Sequence, residues 1–77
     1  MPWWHIIWTD RAMVKIKEHG LGRAEVEYVL MHPLEETVSR SSGLPAVRGR
    51  TKRGREIFVV FRQHDAITIE PITAYEV

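Results

Sequence analysis

The stretch "VRGRTKRGREIFVVF", residues 47 to 61, constrains the fold of this chain more than any other. Two runs of alternating strand-forming residues flank a tight turn at "KRG", the pattern of a β-hairpin. If the turn pairs Thr51 with Arg55, cross-strand partners keep a constant index sum, so Arg50 faces Glu56 and Arg48 faces Phe58. One face of the hairpin then carries Arg48, Arg50, Glu56, Phe58, Val60 and Arg62. The opposite face carries Val47, Gly49, Ile57, Val59 and Phe61, and a face so apolar requires a covering layer.

The N-terminal half supplies that layer. "WWHIIW" reads as a short first strand, with Trp4, Ile6 and Trp8 on one face and Trp3, His5 and Ile7 on the other. The tryptophans are expected to anchor the core. Thr9 or Asp10 caps a helix over residues 10 to 19, whose stripe is Ala12, Met13 and Ile16 and whose left-handed stop is Gly20. Gly22 reopens the chain, and "RAEVEYVLMH" repeats the helical period with Val26, Val29 and Leu30 inward and Glu25 and Glu27 outward, until Pro33 forbids continuation.

From Leu34 the pattern is one of strands: "EETVSR", "AVRGRT", "REIFVVFR" and "AITIEPITAYEV", separated by turns at "SSGLP", "KRG" and "QHD". The fold class expected is α+β, a short N-terminal strand and two short helices packed on one face of a mostly antiparallel sheet of about three to five strands. In the last strand Ile67 and Ile69 join the core face, but strict alternation would then bury Thr73 and Tyr75. A bulge at Pro71 restores Ile72 and Ala74 to the core and carries Tyr75 to the face of the arginines.

A chain of 77 residues makes one domain, residues 1 to 77, with a thin core. It has no cysteine for a disulfide, and its histidines at 5, 19, 32 and 64 lack the close spacing of a zinc site. No metal or other cofactor is expected. The N-terminus is apolar without a basic leader or cleavage pattern, and no stretch is long enough to cross a bilayer, so a cytoplasmic protein with no membrane partner is expected.

The net charge of +1 hides an asymmetry. Residues 37 to 55 hold six Lys or Arg and no acid, leaving five bases against ten acids elsewhere. One basic segment on an acidic body points to an anionic partner. A solvated hairpin tip that blocks edge aggregation is the alternative. Against it, Arg48, Arg50 and Arg62 converge on one patch, and guanidinium forks suit phosphate oxygens. Phe58 and Tyr75 beside them offer stacking surfaces for unpaired bases, and Lys52, Arg53 and Arg55 extend the basic surface. His19, in "KEHGLG", complements a helix C-terminus in the plainer reading and is a possible site residue in the other. No G-x-S-x-G element or nucleophile dyad is legible.

In order and spacing these marks resemble the BrnT-like toxins of bacterial toxin–antitoxin systems, a branch of the RelE/ParE-like fold, and closely related small toxin-like families. The resemblance covers nearly the whole chain from Trp8. It rests on Lys17, His19 and Gly20, on the helix ending His32–Pro33, on the turn Gly49, Thr51, Gly54 and Arg55, and on the closing "ITA" of Ile72 to Ala74. It implies an RNA-cleaving, metal-independent enzyme whose partners are mRNA, free or on the ribosome, and a small DNA-binding antitoxin. The chain departs from the family where it has Thr73, Ala74 and Tyr75 in place of a serine-alanine-arginine ending. The expected mechanism is attack of a ribose 2′-hydroxyl on a phosphate held by Arg48, Arg50 and Arg62, with Tyr75 or Arg50 as acid and Glu56 as base. The rival is a module of the same fold that binds RNA or protein without turnover.

Overall fold

The computed structural model describes residues 4 to 77. In chain order it holds β1 (His5–Ile6), α1 (Asp10–Glu18), α2 (Arg23–Met31), β2 (Glu35–Val38), β3 (Pro45–Arg50), β4 (Glu56–Gln63) and β5 (Thr68–Glu76). The strands form one mixed five-stranded sheet in the order β1-β5-β4-β3-β2. From β2 to β5 it is an antiparallel meander, and β1 closes the other side by pairing parallel to β5, His5 with Thr68 and Ile6 with Ile69. The first strand is therefore shorter than "WWHIIW". Trp4 and Trp8 pack partly buried on the core, while Trp3 lies outside the described residues.

The helices begin and end for the reasons written in their sequences. Thr9 is the N-cap of α1, its Oγ1 accepting from the Ala12 N–H at 3.1 Å, and Gly20 follows the helix at φ 72°. In α2 the Glu25 carboxylate accepts from the Gly22 N–H at 3.0 Å, and the helix stops before Pro33. Val26, Val29 and Leu30 are buried as expected. Met13 is not: it is 37% exposed, because Ala12 and Ile16 alone face the sheet. Glu25 and Glu27 do not stand free in solvent either, since Glu27 accepts from Trp8 Nε1 at 2.7 Å.

The central hairpin has the register its index sum demands, with Arg50 opposite Glu56 and Arg48 opposite Phe58. Its turn is closed by Thr51 N–H to the Arg55 carbonyl at 2.8 Å and Gly54 N–H to the Thr51 carbonyl at 2.9 Å, with Gly54 at φ 86°. The core face, Val47, Ile57, Val59 and Phe61, meets the buried face of α2. Gly49 makes that approach possible: a Cβ there would lie 2.8 Å from Val29 Cγ1, closer than carbon atoms sit.

The bulge in β5 is present. Val60 pairs with Thr73 and Phe61 with Pro71, so Ile72 is the extra residue and everything after it changes face. Ala74 is fully buried and Tyr75 faces Phe58. Two details differ from the sequence reading. Pro71 fills the core beside Phe61, and Ile72, inside the bulge, is only half-buried. Ile67 is 55% exposed because the turn before β5 extends through it, its N–H and that of Thr68 both bonded to the Asp65 carboxylate. Val60, on the face away from α2, is nevertheless buried between Ala46 and Thr73.

Candidate functional site

The sheet face turned away from α2 collects polar and aromatic side chains from four strands. Alternation and register bring Arg48 and Arg50 from β3, Glu56, Phe58 and Arg62 from β4 and Tyr75 from β5. The edge strand adds Glu35, which pairs with Arg48.

Arg48 is the centre of this face, and it is doubly engaged. Its Nε donates to Glu35 Oε1 at 2.9 Å and its Nη1 to Glu56 Oε2 at 2.5 Å. Arg50 Nη2 lies 3.7 Å from Glu56 Oε1. Two guanidinium groups thus stand among two carboxylates, so the face is charge-balanced where the sequence suggested net positive charge. The hydrogen bond from Arg48 is the main cause that holds the Glu56 carboxyl below its ordinary value, and the same contacts with Glu35 and Glu56 raise Arg48. A carboxylate so stabilised is a weak base.

Beside the charges runs a row of rings. The Tyr75 ring sits 5.5 Å from Phe58, tilted by 33°, and His19 lies 6.1 Å from Tyr75 on the end of α1. The row leads from β4 across β5 to the helix. On one side it opens into a cleft of about 400 Å³ lined by Thr37, Ser39, Arg40, Ser41, Phe58 and Tyr75. On the other, Arg11 and Lys15 of α1 meet Arg62, Glu70 and Ile72 around a hollow of about 280 Å³. Arg11, Lys15 and His19 are spaced by four, so one helical stripe walls the face with potential cations. Composition drew attention to the basic run near Arg50; this second basic wall is written only in the period of α1.

The remaining basic residues of the hairpin go elsewhere. Lys52 and Arg53 sit at its tip beside α2, Lys52 Nζ lying 5.6 Å from the Tyr28 ring centroid. Arg55 has the parity of Ile57, so it turns to the core side. There it donates to the Gly20 carbonyl at 2.9 Å and to Glu76 at 3.1 Å, and lies 3.8 Å from Glu25. Of the expected RNA-binding residues, only Phe58 stays with the central arginines. The other histidines make local contacts: His64 with Glu70 at 2.8 Å, and His32 stacked on Tyr28 at 4.4 Å.

The Glu56 pairing sets a pH dependence. A carboxyl whose folded-state pKa is depressed stabilises the fold fully above its unfolded pKa and loses that contribution as pH falls through the folded value. The thermal midpoint should therefore hold down to about pH 5 and fall below the ordinary carboxylate value of 4.5. Asp65, held low chiefly by the Ile67 N–H, acts in the same acid range. Glu56→Gln should make the acid decline shallower without removing it; a thermal melt series with an unchanged slope would refute the pairing.

No family model, curated protein or solved structure matches the chain. Among the described residues no helix is long and apolar enough to cross a membrane. Fold and face together define a small α+β domain with two helices and a five-stranded mixed sheet, open on one side to a balanced charge cluster flanked by rings.

Proposed function

We propose that the open face binds single-stranded RNA and that the protein is a RelE-like, BrnT-like toxin ribonuclease, acting in the cytoplasm on mRNA and neutralised by a small DNA-binding antitoxin. The observation that carries the reading is the row Phe58, Tyr75 and His19 running beside Arg48. Rings in a row take unpaired bases, and a guanidinium beside them takes the phosphate between. RNA binding exchanges the Glu35 and Glu56 contacts of Arg48 for phosphate oxygens, so the arginine is already oriented before the ligand arrives.

The reaction needs nothing beyond the RNA and the face. The 2′-hydroxyl loses its proton and attacks the adjacent phosphorus, the bond to the 5′-oxygen breaks, and that oxygen gains a proton. A cyclic phosphate and a 5′-hydroxyl result. Arg48 and Arg50 stabilise the crowded phosphate, which supplies most of the rate. Arg62 does not converge with them: it lies roughly 20 Å along β4 from Glu56, in the hollow of Arg11 and Lys15, and meets a flanking phosphate instead. Tyr75 donates the proton in this reading, its phenol carrying one transferable hydrogen. Of the two groups able to receive one, Glu56 is weakened by Arg48, which favours His19. Double engagement of Arg48 also favours a second reading, in which the same face binds RNA or protein without turnover.

Induced expression in a bacterium, with growth and RNA integrity followed together, separates the two. Arrested growth with RNA fragments ending in cyclic phosphate is the expected result. Tyr75→Phe should keep stability and RNA affinity but lower cleavage, and Tyr75→Arg should restore or raise it. Intact RNA and unchanged growth would leave the binding module; full activity in Tyr75→Phe would remove the phenol from the mechanism.

A further inference from the structure

The outward side of α2 is apolar where a surface helix is ordinarily polar. Ala24, Tyr28 and Met31 recur at i, i+4 and i+7, opposite the buried stripe of Val26, Val29 and Leu30. Between that outer stripe and the hairpin tip lies a groove of about 410 Å³, lined also by Lys52 and Arg53. A second hollow of about 430 Å³ continues it past Tyr28, His32 and Arg50 to Leu34, which is 65% exposed. From Ala24 to Met31 the helix rises about 10 Å, room for roughly two turns of another helix laid alongside.

The two walls differ in charge. Lys52 and Arg53 have no carboxylate partner among the described residues. The acids that line the groove are already used: Glu27 by Trp8 and Arg23, and Glu25 by the Gly22 N–H and Arg55. The His32 ring, donating from Nδ1 to the Tyr28 carbonyl at 3.0 Å, is fixed against the Tyr28 ring and stiffens the floor. An apolar floor with one cationic wall fits an amphipathic helix whose apolar residues lie on Tyr28 and Met31 and whose acids reach Lys52 and Arg53. A nucleic-acid strand fits less well, because the floor of Ala24, Tyr28 and Met31 is apolar and offers continuous phosphates no cations beyond Lys52 and Arg53 at one wall.

We infer that this groove, between α2 and the hairpin tip and reaching the proposed RNA face only at its Arg50 margin, docks an acidic amphipathic helix of a partner protein. The inference does not depend on ribonuclease activity.

The test uses the full chain and a displayed library of helix-forming peptides. Enriched sequences should carry apolar residues at i, i+3 or i+4, and i+7 with Asp or Glu along one flank. Measured by fluorescence anisotropy, their affinity should fall about tenfold or more in Met31→Glu and in the double variant Lys52→Glu with Arg53→Glu, the size of loss usual at an interface anchor. Phe58→Ala, on the other face, should leave it unchanged. No enrichment, enrichment of neutral or basic peptides, or affinity indifferent to Met31→Glu would overturn the inference. So would an oligouridylate whose binding is lost with the two cations but survives Met31→Glu, which would make the groove a nucleic-acid site.

Discussion

Phe61→Ala is expected to cost about 3–5 kcal/mol of unfolding free energy, the usual loss when a buried ring is truncated and its cavity persists. Phe61 is 7% exposed, belongs to the central cluster and lies opposite Pro71, whose ring is rigid and cannot collapse into the space. A domain of this size has only a modest total stability to lose, so much of the alanine variant should be unfolded at room temperature. Phe61→Leu, a smaller cavity, should stay folded with a measurable loss. Phe58→Ala should cost much less, because that ring is half-buried on the open face against Tyr75. Urea titrations followed by circular dichroism measure all three. Equal losses at Phe58 and Phe61 would mean that the two faces of β4 have been exchanged.

The second large effect concerns the arginines. Replacing Arg48 and Arg50 with alanine leaves Glu35 and Glu56 on the face with no guanidinium between them, so the balanced cluster becomes a doubly negative one. Hydrogen bonds between charged groups are worth about 1.5–3 kcal/mol each, so the loss in RNA affinity should be on the order of a hundredfold or more. Cleavage should disappear with it, and antitoxin binding should weaken if the antitoxin covers this surface. Both side chains are substantially exposed, so the far-ultraviolet spectrum should be unchanged. Titration of a labelled single-stranded RNA gives the answer. Undiminished binding would return the arginines to the plain role of keeping an exposed hairpin soluble.

Much of this face was legible because it depends on local rules. A tight turn fixes the index sum of a hairpin, and parity then assigns Arg48, Glu56 and Phe58 to one side without any knowledge of the rest. Pro71 announced the bulge because a proline cannot serve a central ladder, and the fate of Tyr75 followed. What stayed hidden depends on partners distant in sequence. Glu35 reaches Arg48 only through the register of β2 on β3, which a loop with few constraints determines. The pairing of His5 with Thr68 joins residues at opposite ends of the chain, and two residues of strand carry too little pattern to name their neighbour. Ile67 was misplaced because alternation was extended into a turn that Asp65 organises, and Arg55 because a basic residue near other basic residues looks like part of their surface.

Arg55 gives the molecule a property that no single element has. Its guanidinium touches the carbonyl that follows α1, a carboxylate in the first turn of α2 and another near the end of β5. Those segments lie far apart in sequence, and each would ordinarily fray by itself. With one side chain hydrogen-bonded to Gly20 and Glu76 and paired at 3.8 Å with Glu25, fraying of the last strand withdraws a contact that also orients the link between the helices. The C-terminal end of the chain and the interhelix turn therefore share a common opening event rather than two independent ones.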